Sequence, residues 1–532
     1  MTARPLVAPV GEEASSRRTY RAGWGWWVAT AVVLFPALIP PIGLAGQVIT
    51  GGTGSSVPFA RLVELFAGTL ALTAAVTLTA LAIGTATAWL TTRTDLPGRR
   101  IWMIVAALPL VIPSYMAALT IIGATGPDGL IETVFGVRIP TPYGFSGAWL
   151  ALSVFLAPMA HLIVTPGLRA IDPATEEAAT GLGAGRLRVF LTVTLPQLRP
   201  ALVSAGLMVG LYTVSDFGAV SLLRFDTFTR AIFTLYAGQI DRRPAATLSV
   251  VLMALALLIL LIERRTRTRA GYRAGSTKRR RQLLRLGTGQ RVVALGLLGS
   301  YTALALALPM GVLLLWLTRG LVAGNEIGSL WEEVGRSVGV SVGAAVVAVA
   351  AAMPVAMVTT WRRRRYLSEL VETSVWSIYS LPHIAVGVAV IAFALRFARP
   401  LYQTVTLLVL VYVGMFMAQS ASTIQDSLRR TNPDLEDASR GLGRSALQTL
   451  ARVTLPLTQP GILAGAALVF LSVMKELPAT LLLRPNGFET LAIRIWSSTG
   501  EGFYTRASAA GLALLAVSIV PLLVMTHRDL SP

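Results

Sequence analysis

The sequence predicts an all-α, polytopic membrane protein of about twelve transmembrane helices, arranged as two parallel six-helix repeats. Three observations carry this: long uncharged runs, the side on which the basic residues fall, and an internal repeat at a constant offset. Of 532 residues, 54% are hydrophobic and 14% charged, against about 25% charged in an ordinary soluble domain. Uncharged runs cover residues 24–60, 65–92, 101–127, 139–168, 244–262, 292–318, 337–361, 373–395, 400–425, 453–474 and 507–526. Each reaches the roughly 20 residues that carry a helix across a bilayer core. A twelfth run, 200–215, stops at Asp216 and resumes to Leu223, so it reads as a span containing an acid.

The net charge of +20 is a topology signal. With the amino terminus inside, 32 of the 46 basic residues fall in the tails and loops of that same side. Cytoplasmic loops carry such an excess, so both termini are expected in the cytoplasm. No polar domain gathers the basic residues into a nucleic-acid footprint, and binding of nucleic acid is not expected. The first apolar run is longer than the core of a cleaved signal and follows about twenty polar residues.

Residues 264–291 hold eleven basic residues, interspersed with Gly and Ser, and read as a cytoplasmic linker. Contact with anionic lipid headgroups and a simple solvated tether both fit that composition. The expected organisation is therefore a cytoplasmic tail at 1–23, a first repeat at 24–263, the linker at 264–291, and a second repeat at 292–532.

The repeat is explicit. Asp172-Pro173-Ala174-Thr175-Glu176-Glu177-Ala178-Ala179-Thr180-Gly181-Leu182-Gly183 returns 260 residues later as Asn432-Pro433-Asp434-Leu435-Glu436-Asp437-Ala438-Ser439-Arg440-Gly441-Leu442-Gly443. The same offset pairs Val193-Thr194-Leu195-Pro196 with Val453-Thr454-Leu455-Pro456, Asp216 with Glu476, and Arg224 with Arg484. An even number of spans per half makes the repeats parallel, which argues against inverted-repeat, ion-coupled secondary transporters. The repeated loops, 169–199 and 426–458, lie on the cytoplasmic side. Asp172 or Asn432 is placed to cap a short helix, with Pro173 or Pro433 at its first position and acids near its positive end. Gly183 or Gly443 then permits a left-handed stop. Two such helices on one face read as a docking surface.

Enzyme chemistry is not visible. The only lysines are Lys278 and Lys475, and neither follows the glycine that a phosphate-binding loop requires. Zero cysteines and three scattered histidines exclude thiolate sites and leave no stable metal site. The chain is expected to bind no cofactor of its own.

The spacing Glu177-Ala178-Ala179, Gly183, Val193, Leu195-Pro196 resembles the EAA loop of the permease subunits of bacterial ATP-binding-cassette importers. The second copy departs from it with Asp437-Ala438-Ser439, while Gly443 and Leu455-Pro456 match. The resemblance implies that Glu177, Ala178 and Gly183, with Glu436, Asp437, Ala438 and Gly443, couple the spans to two cytosolic ATPases. It further implies that ATP and Mg are used on those ATPase subunits, that an extracytoplasmic binding protein delivers cargo, and that the chain sits in the bacterial cytoplasmic membrane. The fused form with two copies resembles the ferric iron permeases and also the thiamine permeases. Ser215-Asp216-Phe217-Gly218-Ala219-Val220 and the stretch from Met474 through Pro485 look like the ferric group. Thiamine, polyamine and oxyanion uptake stay open as alternatives.

Ionisable groups in spans are expensive and usually face a cavity or a partner. Asp216, Glu476 and the adjacent Lys475 are thus candidate passage residues, and the two acids a transient site for a hard cation, since carboxylates suit such ions. The alternative is that Glu476 pairs with Lys475 or another base and that both acids sit at the outer interface. His383, after Leu381-Pro382, and Tyr115, after Ile112-Pro113-Ser114, fall in corresponding third spans. Both are candidates for the passage or for packing, and His161 reads as a helix-contact residue.

Overall fold

The computed structural model describes residues 24–50, 57–269, 283–360, 365–432 and 434–529. The expected tail at 1–23 and most of the basic linker lie outside the described residues. Within them the structure is helical, apart from one isolated bridge between Thr94 and Leu284.

The first repeat contains α1 (Trp24–Thr50), α2 (Phe59–Arg93), α3 (Arg99–Ala107), α4 (Ser114–Thr125), α5 (Leu130–Phe135), α6 (Phe145–Ala170), α7 (Pro173–Gly181), α8 (Arg186–Val189), α9 (Leu195–Ser215), α10 (Gly218–Leu222), α11 (Phe228–Gly238) and α12 (Arg243–Arg269). The second contains α13 (Thr288–Thr302), α14 (Leu308–Val322), α15 (Trp331–Thr360), α16 (Arg365–Ser380), α17 (His383–Phe397), α18 (Val405–Arg430), α19 (Asp434–Gly441), α20 (Ala446–Thr449), α21 (Leu455–Met474), α22 (Pro478–Leu483), α23 (Leu491–Gly500) and α24 (Tyr504–Asp529). By length and composition, nine helices among the described residues can cross a membrane, or up to eleven if each of two bent pairs is one span. The last predicted run lies in α24, which carries a shorter apolar stretch, Tyr504–Ile519. Every one of the twelve runs therefore has its helix.

The two bent pairs are the third spans. The chain turns by 95° between Arg99–Val111 and Ser114–Phe135, and by 101° between Tyr366–Ser380 and His383–Phe397. Pro113 and Pro382 sit at the breaks; proline donates no N–H and disfavours helical backbone in the residue before it, and Ile112 is indeed extended (φ −77°, ψ 121°). The run expected as one span containing Asp216 instead breaks at the acid: α9 ends at Ser215, Asp216 has extended backbone (φ −64°, ψ 132°), and α10 restarts two residues later.

Packing within each repeat relies on small residues, as expected where lipid removes the hydrophobic drive between helices. α2 packs along α6 and α9, and α15 along α18 and α21. A Cβ on Gly84 would stand 2.5 Å from Ala160 Cβ, and one on Gly465 would stand 2.6 Å from Thr423 Oγ1. His161, 1% exposed, joins α6 to α2 through its Nδ1, 3.0 Å from Thr87 Oγ1.

Between repeats the first spans change sides. α1 packs on α15 and α17 of the second repeat, whereas α13 packs on α3 and α14 on α4 of the first. The helix of α12 continues past residue 263, where the linker was expected to begin, to Arg269. The far end of the linker is docked. Leu284 N donates to Arg93 O at 2.9 Å, and Asp95 N donates to Leu284 O at 3.1 Å. The Asp95 carboxylate then accepts from Leu286 N at 2.9 Å and from Arg291 at 2.7 Å.

Candidate functional site

A cavity of about 170 Å³ opens between the repeats, where the broken third spans meet the ends of α9 and α21. Tyr115, Asp216, His383, Lys475 and Glu476 all line it, so the five residues singled out on chemical grounds share one space.

The two acids perform matching local work. Asp216 Oδ1 accepts from Ala219 N at 3.0 Å and Val220 N at 3.3 Å, capping α10. Glu476 Oε1 accepts from Ala479 N at 3.0 Å, capping α22. A carboxylate suits these positions because the first N–H groups of a helix have no partner within it. Each acid also neighbours the first residue after the proline of its own broken span. Ser114 lines the cavity beside Asp216, and His383 Nδ1 stands 2.7 Å from Glu476 Oε2. The residue equivalent to His383 is thus Ser114, one place before Tyr115.

Lys475 breaks the symmetry. Its ammonium donates to Leu110 O at 3.2 Å, from the second repeat to the broken span of the first. Glu476 therefore pairs with His383 rather than with its neighbour Lys475, which satisfies a backbone carbonyl next to the proline break. Among the described residues no group of three or more His, Cys, Asp or Glu is placed to hold a metal ion.

Sequence reading missed a polar chain across the cavity. The hydroxyls of Tyr212 and Tyr379 stand 3.5 Å apart, linking α9 to α16. Gln419 Nε2 donates to the Tyr379 hydroxyl at 3.3 Å, and Ser472 Oγ donates to Gln419 Oε1 at 3.0 Å. The available signal was position: Tyr212 lies four residues before Asp216 and Tyr379 four before His383.

The repeated loops form the second part of the site. Asp172 Oδ1 accepts from Ala174 N at 3.0 Å, and Asn432 Oδ1 accepts from Asp434 N at 3.1 Å, so each caps its short helix, α7 or α19. Gly183 and Gly443 then adopt φ of +83° and +82°. A second short helix follows each stop. α8 and α20 run directly into α9 and α21 through five-residue π-helical turns, Phe190–Thr194 and Leu450–Thr454. Such turns recur at functional sites.

Glu176 and Glu436 tie the short helices to those turns. Thr194 Oγ1 donates to Glu176 Oε1 at 2.6 Å, and Thr454 Oγ1 donates to Glu436 Oε1 at 2.6 Å. Glu176 also meets Arg93, the last residue of α2, at 2.8 Å. Glu177, Ala178, Asp437 and Ala438 are exposed. Beside them Leu182, Leu187, Leu442 and Leu447 are 90%, 72%, 82% and 76% exposed. Exposed leucines thus recur at matching positions on both copies.

Comparison with known proteins agrees with this construction. The family model described as "binding-protein-dependent transport system inner membrane component" matches twice, at residues 79–264 and 348–529. The Fe(3+)-transport system permease protein FbpB 2 of Haemophilus influenzae is 30% identical, over 87% of this chain and 90% of its own length. The molybdenum transport system permease protein ModB of Escherichia coli is 33% identical but matches 35% of this chain and 86% of its own. The thiamine transport system permease protein ThiP of Brucella abortus is 26% identical over 81% of both chains. With its domain present in both repeats, the chain belongs to the family of binding-protein-dependent transport system inner membrane components.

Proposed function

We propose that this chain forms the passage of an ATP-driven importer of ferric iron in the bacterial cytoplasmic membrane, with both termini in the cytoplasm. The observation that carries the substrate is the extent of similarity: a Fe(3+)-transport permease aligns with nearly the whole chain, both repeats included. The molybdenum relative matches only about one repeat. Two copies of a cytosolic ATPase, using ATP and Mg, seat on the exposed faces of α7 and α19, and an external binding protein delivers the cargo. Closure of the ATPases moves Glu176 with Thr194 and Glu436 with Thr454, and so turns α9 and α21, whose outer ends carry Asp216 and Glu476. The cavity is then offered alternately to the two sides of the membrane. Thiamine is the second reading, because a thiamine permease also matches both repeats.

The test is uptake of radiolabelled ferric iron and, separately, thiamine in cells with and without the chain, each supplied with the ATPase and binding protein. Chain-dependent ferric uptake alone supports the proposal. Chain-dependent thiamine uptake alone transfers the passage to the second reading.

A further inference from the structure

The central cavity carries oxygens that the paired acids do not account for. Both oxygens of Glu476 are engaged, one by Ala479 N and one by His383, and Asp216 Oδ1 takes two backbone amides. Of the phenols, Tyr379 meets Tyr212 and Gln419, Tyr212 meets Tyr379, and Tyr115 meets none. Tyr212 and Tyr379 bring their hydroxyls to 3.5 Å from opposite repeats. Tyr115 lines the same cavity, is 2% exposed, and its buried hydroxyl has no hydrogen-bond partner. A buried hydroxyl left unpaired is unfavourable. On a cavity wall it marks a place where a ligand completes the bonding.

We infer that Tyr115, Tyr212 and Tyr379 form a transit site for ferric iron, a hard trivalent cation freed of its carrier's ligands; the inference rests on the ferric reading above. Hard cations take oxygen donors, and a phenol becomes an anionic oxygen donor when it binds one. For each phenol one O–H bond breaks and one Fe–O bond forms; the proton goes to water, and the iron stays ferric with no electron transferred. The cavity, about 170 Å³, has room for the ion and a few waters. Tyr212 and Tyr379 belong to different repeats, so an ion bridging them is held when the repeats are close and released when they part. The site therefore binds in one conformation and lets go in the other, as transport requires.

The experiment uses the full chain assembled with its ATPase and binding protein in nanodiscs, with ferric nitrilotriacetate as the probe. Phenolate-bound ferric iron absorbs visible light by charge transfer, which carboxylate ligation alone does not give. The wild-type complex should develop this band. Tyr212→Phe and Tyr379→Phe should each weaken ferric binding by more than about 10-fold, since losing even an outer-shell partner of a metal ligand costs about 10- to 100-fold. Tyr412→Phe is the control, since that buried tyrosine bonds Thr480 and does not line the cavity. ATPase activity in each complex confirms assembly. A band that survives in the Tyr115→Phe, Tyr212→Phe, Tyr379→Phe triple variant overturns the site. So does its absence from a wild-type complex in cells whose ferric uptake depends on the chain, and the permease reading then stands. Absence of chain-dependent ferric uptake overturns both.

Discussion

The Arg93 guanidinium and the Glu176 carboxylate meet at 2.8 Å, with the Arg93 side chain 4% exposed and that of Glu176 20% exposed. This contact ties α2 to α7 in the first repeat. Removing one partner of a fully buried pair costs about 3–5 kcal/mol. Water reaches Glu176, so Arg93→Ala should cost less, about 2 kcal/mol. Thermal unfolding of the purified chain measures this. Stimulation of ATPase activity in reconstituted complexes should fall as well, and unaltered stimulation would remove Arg93 from the coupling path.

Gly183 and Gly443 turn at positive φ, and a Cβ added at either would meet nothing within 4 Å, so backbone strain alone opposes substitution. Gly443→Val should destabilise the stop after α19 by roughly 1 kcal/mol or more. Gly183→Val should do the same after α7. The readout is cargo-stimulated ATP hydrolysis, and normal hydrolysis in both variants would contradict the docking role of these loops.

Glu476 caps α22 and holds His383, two tasks that substitutions can separate. Glu476→Gln keeps an oxygen for Ala479 N, whereas Glu476→Ala keeps neither contact. Losing a hydrogen-bonding partner inside a protein costs about 1–3 kcal/mol, so the alanine variant should melt earlier than the glutamine variant. Equal melting temperatures would show that the cap contributes nothing.

Asp95 links the end of the linker to the loop after α2. Its carboxyl is held below the ordinary value of 3.8, first by the Leu286 N–H and then by Arg291, against an opposing desolvation effect. A carboxylate with a depressed pKa stabilises its contact above its unfolded value and loses that contribution as pH falls through the folded one. The docked segment should therefore stay protected from protease at neutral pH and become cleavable only as pH falls through the folded value, which lies below 3.8. Asp95→Asn should be cleavable at neutral pH. Mapping of limited-digestion products with an acid-tolerant protease decides the matter.

Spans and repeats were legible because each is written locally: charge-free length sets a span, and a constant offset sets a repeat. The caps at Asp172 and Asn432 and the stops at Gly183 and Gly443 were legible for the same reason. Which of two adjacent acids turns inward was not. Glu176 and Glu177 differ by about 100° around α7, and only packing against Arg93 and Thr194 selects Glu176. Tyr212 and Tyr379 escaped notice because an aromatic in a span is ordinarily packing, and their meeting joins helices of different repeats. The docking of residues 284–291 onto Asp95 was hidden by a composition that reads as tether.

The lining of the cavity differs between its two walls: Ser114 faces Asp216 where His383 faces Glu476, and Ser215 stands where the other repeat has Lys475. A homodimer of single-repeat chains must put the same residue on both walls, so it would bury two lysines or none. Joining the repeats in one chain lifts that restriction. One ammonium reaches across to Leu110 without a like charge opposite it. Covalent fusion thus gives this protein chemical handedness across its central axis, which no symmetric assembly of identical chains can have.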